Sequence, residues 1–367
     1  MTITNAGTMN TPGAANAQVE EYYRRALEID EKLAAQSSDP QRLRALATDE
    51  LYIGRHFSDT GHWKEAIASE QKAIATNQKY ATDPNNMAAQ RDVAAFINNL
   101  GDTYLMSGDE AQALASYERA LKLLTAISSA DPQDNDARAS TAEGYLNVGN
   151  ALRRMGKPAD ALRYLQTGTT MQEAAAERDA TDVYIARDIS TGYLWMASVL
   201  SAKHNSDGAL KDYTKAIAIQ ERFARLDPKN LDTQVALAGM LAAFADFLRT
   251  SRQMETASDD YRQSITIGES LLSNYPDKAE MRYILVQSYL GMGQIYSARA
   301  STSSSSVAER IGNWTQAKSW LQRSSDLLRQ IPHPAAVTPT GFDTVDAAQI
   351  AQAMSTCDAA QARLAAH

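Results

Sequence analysis

Cysteine is almost missing from this chain of 367 residues. Cys357 stands alone, which excludes an internal disulfide and fits a reducing compartment, although a bacterial periplasmic protein can also lack cystines. An excess of basic charge is missing too. There are 36 Lys and Arg against 44 Asp and Glu, a net charge of -8, and no basic stripe carries interleaved aromatics, so nucleic acid is not an expected partner. No apolar run is read as long enough for a membrane span. The opening MTITNAGTMNTPGAANA has neither a basic start nor an apolar core, so it does not read as a secretion signal, and residues 1–17 are expected to form a disordered lead.

Catalytic signals are equally scarce. His56, His62, His204, His333 and His367 show no helical pairing suited to zinc, and those near helix ends read as surface or cap residues. No Gly-rich phosphate loop, kinase catalytic loop or Asp-Phe-Gly triplet occurs. No enzyme activity, metal or cofactor is expected.

What the chain does have is a period. Gly54, Gly101, Gly149, Ala197, Ala245 and Gly293 follow one another at steps of 47, 48, 48, 48 and 48 residues, the spacing of a stacked repeat array. Twelve residues after each comes alanine: Ala66, Ala113, Ala161, Ala209, Ala257 and, past a twelve-residue insertion, Ala317. Seven further on the residue is small: Ala73, Ala120, Gly168, Ala216, Ser264 and Ser324. Between these two registers stand Tyr117, Leu165, Tyr213, Tyr261 and Leu321, with Glu70 as the exception in the first unit.

The apolar spacing is helical. Val93, Ile97, Leu100 and Tyr104 step by four, three and four and share one helix face. Gly61, Gly108 and Gly156, then His204 and Arg252, are expected to end the first helix of each unit. Asp83-Pro84, Asp131-Pro132, Asp227-Pro228 and Tyr275-Pro276 close the second, with Asp179-Ala180 where that proline is missing. Each helix should run about 18 to 20 residues, roughly 27 to 30 Å. One unit buries too little to stand alone, so stability must come from stacking.

A large residue, Leu-Gly, an aromatic three later, then Ala, an aromatic and a closing Pro resembles the tetratricopeptide repeat. NNLGDTYLMSGDEAQALASYERAL, residues 98–121, is similar to a near-complete copy. The resemblance covers roughly residues 41–330, in units of 48 rather than the usual 34. It implies an all-α fold, a right-handed superhelical α-solenoid of stacked antiparallel helix pairs. The organisation expected is a capping helix over 18–40, six helix pairs over 41–330 with an insertion near 300–311, a Pro-containing linker over 331–343 and a closing helix over 344–367. In that closing helix Val345, Ile350, Met354 and Leu364 are the apolar positions. The Ser-rich stretch 301–306 reads as a loop, with a regulated or ligand-covering segment as the other reading. The long unit, with Arg91-Asp92 and Arg187-Asp188 before the small residue, is similar to arrays that follow bacterial membrane serine/threonine kinases.

The resemblance implies a protein- or peptide-binding scaffold whose first helices line a concave groove. The alternative is the sensory or regulatory arm of a receptor kinase whose catalytic domain lies elsewhere, and a third option is an all-helical enzyme. The location is cytoplasmic by default, or extracytoplasmic if the chain belongs to a membrane kinase. Counting from the small residue as position zero, position +1 is polar in every unit: Arg55, Asp102, Asn150, Ser198, Asp246 and Gln294. The densest polar constellation is Asn98, Asn99, Asp102, Asn147, Asn150, Arg153 and Arg154, with Trp195 and Arg249 as further groove candidates.

Asparagine pairs donate to and accept from an extended backbone, and arginine holds a carboxylate bidentately, so the partner expected is a peptide with an acidic group or a free C-terminus. Asn99, Asn147 and Asn150 look like part of the set by which family members grip a C-terminal carboxylate, but Leu51, Asn98 and Leu146 stand where that set has lysine. The other reading of these groups is helix capping or bonding between neighbouring units. Arg44, Arg91 and Arg187 share a register and are expected to be solvated or paired with neighbouring Asp92 and Asp188 rather than to bind a ligand.

Overall fold

The computed structural model describes residues 12–37, 39–83, 86–276, 278–302, 305–331 and 345–365. Among them are fourteen helices and no strand: α1 Pro12–Gln36, α2 Pro40–Asp59, α3 Trp63–Tyr80, α4 Met87–Ser107, α5 Glu110–Ala130, α6 Asn135–Arg154, α7 Pro158–Ala176, α8 Val183–Ala202, α9 Ser206–Leu226, α10 Leu231–Thr250, α11 Met254–Asn274, α12 Ala279–Ala300, α13 Val307–Leu328 and α14 Ala347–Ala365. Packing divides the chain after Arg178 into two compact units, the first holding α1–α7 and the second α8–α14. The division falls beside Asp179-Ala180, the one unit end without its proline.

Within the first unit α2/α3, α4/α5 and α6/α7 form helix pairs, and within the second α8/α9, α10/α11 and α12/α13 do so. Within each unit the second helix of one pair packs on the first helix of the next, and first helices also touch first helices, as in α4 against α6 and α10 against α12. Asp39, Asn86, Asp109, Asp134, Asp182, Asn205 and Asn230 each cap the helix they precede by accepting from backbone N–H groups of its first turn. Gly61, Gly108, Gly156, His204 and Arg252 all take positive φ at the ends of first helices, where the left-handed turn reverses the chain.

The register of small residues is where the two helices of a pair meet. All six alanines at +12 are fully buried. A Cβ added at Gly101 would lie 2.6 Å from the Tyr117 ring, one at Gly149 would lie 2.7 Å from Leu165, and one at Gly293 would lie 2.7 Å from Leu321. The absent side chain is therefore the seat of the large residue at +16.

In the first pair that seat holds Glu70, whose Cγ stands 2.7 Å from the same position at Gly54. Glu70 is fully buried, its Oε1 accepts from Thr103 Oγ1 at 2.9 Å, and Oε2 has no partner. Burial raises its pKa to about 8, with Asp102 and Asp59 adding to the rise and the Thr103 bond and Arg55 opposing it.

Two expectations are refined at the edges. α1 begins at Pro12, so the expected disordered lead overlaps its first turns, while residues 1–11 lie outside the described residues. In the insertion the described residues 301–302 and 305–306 lie outside helices, while Ser306 and Glu309 form a capping box from which Val307–Gly312 extend α13 by nearly two turns. A serine followed three residues later by glutamate supplies that start signal. The expected linker lies outside the described residues except at 331. Val345, Ile350, Met354 and Leu364 do pack on α13 and α12, against Trp314, Leu321 and Tyr283.

α10 departs from the expectation that no apolar run reaches span length. Its best window has mean hydropathy 1.4, but 67% of that window is buried inside the second unit, so its apolar surface is used in packing.

The Glu70 carboxyl generates a pH prediction. Its folded pKa lies above its unfolded value, so the folded state keeps a proton that the unfolded chain releases. Stability should therefore fall as pH rises from about 4.5 to about 8, by at most about 1.4 kcal/mol per pH unit from this group. Glu70→Gln should flatten that slope in chemical denaturation at pH 5, 6.5 and 8, and an unchanged slope would assign the dependence to other groups.

Candidate functional site

Position +1 of the first helices does not stand alone. In the second pair the Tyr117 hydroxyl donates to Asp102 Oδ1 at 2.6 Å, and in the fifth Tyr261 donates to Asp246 Oδ1 at 2.5 Å. Both are +16 to +1 contacts, made because the small residue at zero lets the ring pass between the helices and deliver its hydroxyl to the far side. Burial, then the adjacent aspartate, pushes both tyrosine hydroxyls well above their ordinary pKa, so each remains a donor.

Asp102 keeps a solvent-exposed edge yet is walled by protein. That enclosure raises its pKa to about 6, against the lowering effects of the Tyr117 bond and Arg55.

An arginine at +4 completes the arrangement in two pairs. Arg249 Nη2 donates to Asp246 Oδ1 at 3.0 Å and Nε to the Tyr261 hydroxyl at 3.4 Å. Burial opposes the charge on Arg249, but Tyr261 and Asp246 outweigh it and hold the guanidinium more firmly protonated. Arg153 makes the equivalent contact, donating to Asn150 Oδ1 through Nε at 3.1 Å and Nη2 at 2.9 Å.

The sequence-selected residues thus separate into groups. Asn150 is 2% exposed and serves Arg153. Asn99 Nδ2 donates to Ala95 O of its own helix at 2.8 Å, and Arg154 reaches Glu110 at 3.4 Å. Asn98 and Asn147 are half-buried, and Asn98 Oδ1 has no partner. Trp195 is 4% exposed with its indole N–H unpartnered, so it is part of the packing of α8 rather than an exposed anchor. Arg44 pairs with Asp92 and Arg91 with Asp134, each one unit on, while Arg187 meets Asp188 and lies over the Tyr184 ring.

A concavity opens in the second unit. It measures about 330 Å³, and its lining includes Ser198 and Ser201 at +1 and +4 of α8, Ala243, Asp246 and Arg249 at -2, +1 and +4 of α10, and Gly291 and Gln294 at -2 and +1 of α12. Val345 and Gln349 close one side. Among the residues that sequence reasoning missed are the two tyrosine hydroxyls and, in the lining, Thr250, Gln287 and Gln349. The tyrosines were legible as an Asp-to-Tyr spacing of fifteen residues that occurs twice, at 102/117 and 246/261. Among the described residues no group of His, Cys, Asp and Glu is arranged to hold a metal ion.

At Gly291, in the lining, the Tyr261 ring lies directly against α12. A Cβ there would lie 2.1 Å from Tyr261 Cζ, whereas one at Gly312 in α13 would meet nothing within 4 Å. Gly291→Ala should therefore displace the Tyr261 ring and destabilise the protein by about 1–3 kcal/mol. Gly312→Ala should be neutral or stabilising by up to about 1 kcal/mol. Denaturation of the two variants side by side checks this, and equal midpoints would contradict the ring's placement.

Family models described as tetratricopeptide repeat match residues 94–123 and 141–179, which lie in α4–α5 and in α6–α7 with its end. No curated protein matches the chain in sequence. Among solved structures, BtubC (BKLC) from P. vanneervenii is similar with TM-score 0.52 and 15% identity, over 73% of this chain and 91% of that one. The apo form of RapI has TM-score 0.48 and 12% identity, over 86% and 99%. The Rap conjugation gene regulator of plasmid pLS20, solved in complex with the Phr* peptide, has TM-score 0.47 and 16% identity, over 97% and 86%. Residues 94–123 and 141–179 thus match tetratricopeptide repeats, and each of the two units is an all-α array of antiparallel helix pairs of the tetratricopeptide-like solenoid type.

Proposed function

We propose that the protein is a non-catalytic scaffold that binds a peptide segment of a partner protein along the face formed by its first helices. One observation carries the reading. The concavity of the second unit is lined at position +1 of α8, α10 and α12 by Ser198, Asp246 and Gln294, so a ligand lying there would meet a polar group at each step. Repeats that present polar side chains in this way suit an extended chain, whose own backbone groups recur at a fixed interval.

The chemistry of the lining favours a polar peptide with a carboxylate. Ser198, Ser201, Gln294 and Gln349 offer donors and acceptors to peptide groups. Arg249 uses Nη2 and Nε on Asp246 and Tyr261, and the remaining donors of its guanidinium fork are what an incoming carboxylate would take. Asp246 orients the arginine and prevents a weakly held anion from occupying it, which favours a ligand that also engages the neighbouring amides and hydroxyls.

The test is a C-terminally displayed peptide library selected on the whole protein, with the enriched peptide resynthesised as free acid and as amide. The free acid should bind at least about tenfold more tightly than the amide, as expected for a bidentate charge-assisted contact. Arg249→Ala should remove that preference. A selected peptide that binds parent and variant equally, in either form, would refute the site.

A further inference from the structure

The first unit carries a second concavity of different character. Tyr22 and Ile29 of α1 and Tyr52 of α2 are 52%, 57% and 44% exposed, high values for such side chains in one neighbourhood. All three open onto a groove of about 860 Å³ that has α2 as its floor, α1 on one side and Phe96 of α4 on the other. Along α1 the lining residues Tyr22, Ala26, Ile29 and Leu33 step by four, three and four; along α2 Ala45, Thr48 or Asp49, and Tyr52 do the same. Two helices that present such seams to a shared groove offer ridges and gaps at the spacing of a third helix.

The walls also decide the conformation of the occupant. They are helical throughout, so their backbone N–H and C=O groups are already bonded, and the lining is mainly apolar. An extended chain placed there would leave its own backbone groups without partners, whereas a helix satisfies them internally. Within this apolar lining sits an acidic pair. Asp30 of α1 and Asp49 of α2 share the groove. Burial and the neighbouring Asp30 raise the Asp49 pKa to about 6, so at neutral pH two repelling carboxylates are held together. The other charges in the lining do not relieve them: Arg44 is bonded to Asp92 at 2.8 Å, and Arg42 lies exposed on the rim.

We propose that this groove docks an amphipathic α-helix of a partner protein. Its aliphatic residues at i, i+3 or i+4, and i+7 pack on Tyr22, Ile29 and Tyr52, and a lysine or arginine on the same face lies between Asp30 and Asp49. The proposal is independent of the peptide site in the second unit, since the two share no residue and favour opposite ligand charges.

The experiment uses the full chain and a synthetic 18-residue fluorescein-labelled helical peptide, capped at both ends. The peptide has leucines on one face, one lysine at the centre of that face, and otherwise alanine, glutamine and serine. Anisotropy titration should give saturable binding. Changing the central lysine to glutamate, or placing a proline at the centre, should each weaken binding at least about tenfold. Asp30→Asn with Asp49→Asn should abolish the preference for lysine over glutamate, and Tyr22→Ser with Ile29→Ser, both at exposed positions, should weaken both peptides. The asparagine double variant should still bind the carboxylate peptide of the second unit, which separates failure of this groove from failure of that site.

Equal binding of the lysine and glutamate peptides by the parent chain, retention of the lysine preference in the asparagine variant, or no binding at millimolar peptide would overturn the proposal. So would a concentration-dependent dimer of the parent that the Tyr22→Ser, Ile29→Ser variant loses, since that would assign the groove to a second copy.

Discussion

Everything in this molecule depends on a missing or minimal side chain at one position of each first helix. Where Gly101, Gly149 or Gly293 stands, the large residue of the paired helix fills the space that a Cβ would take. That contact brings the two helices of a pair close enough for the alanines at +12 to be sealed from solvent. It has a second consequence when the large residue is tyrosine: the ring spans the pair, and its hydroxyl emerges beside position +1. Packing and polar presentation are thus two ends of one side chain.

The same register explains where the structure is under tension. Glu70 occupies an aromatic or leucine seat and is buried there with one oxygen unpartnered, a conflict between the shape of the seat and the chemistry of its occupant. In the sixth pair, the insertion displaces the start of α13 but leaves Ala317 and Leu321 fully buried. The register therefore outlasts a change of loop length, because it is set by contact between helices rather than by the connection between them.

The fold was legible because its information is periodic. Gly61, Gly108, Gly156, His204 and Arg252 could be placed as helix ends by position alone, and all five take the left-handed conformation. Position +1 could be picked out as polar for the same reason, and with +4 it lines the concavity on α8 and α10. Which first helices line a concavity was not legible. A single sequence shows that Asn150 and Arg153 are polar and adjacent, but not that they turn to each other, nor that Trp195 is drawn into the packing of its helix. Partnering between side chains depends on rotamers and neighbours that no repeat register encodes. Gln349 was hidden for a further reason, since it comes from the closing segment, outside the repeat altogether.

The central claim is that partners are read by the first helices. Hydrogen exchange of the full chain with and without a selected carboxylate-bearing peptide tests it directly. The account predicts added protection in peptides from α8, α10 and α12, concentrated near Ser198, Asp246, Arg249 and Gln294. Protection confined to α9, α11 and α13, with those first helices unchanged, would contradict it.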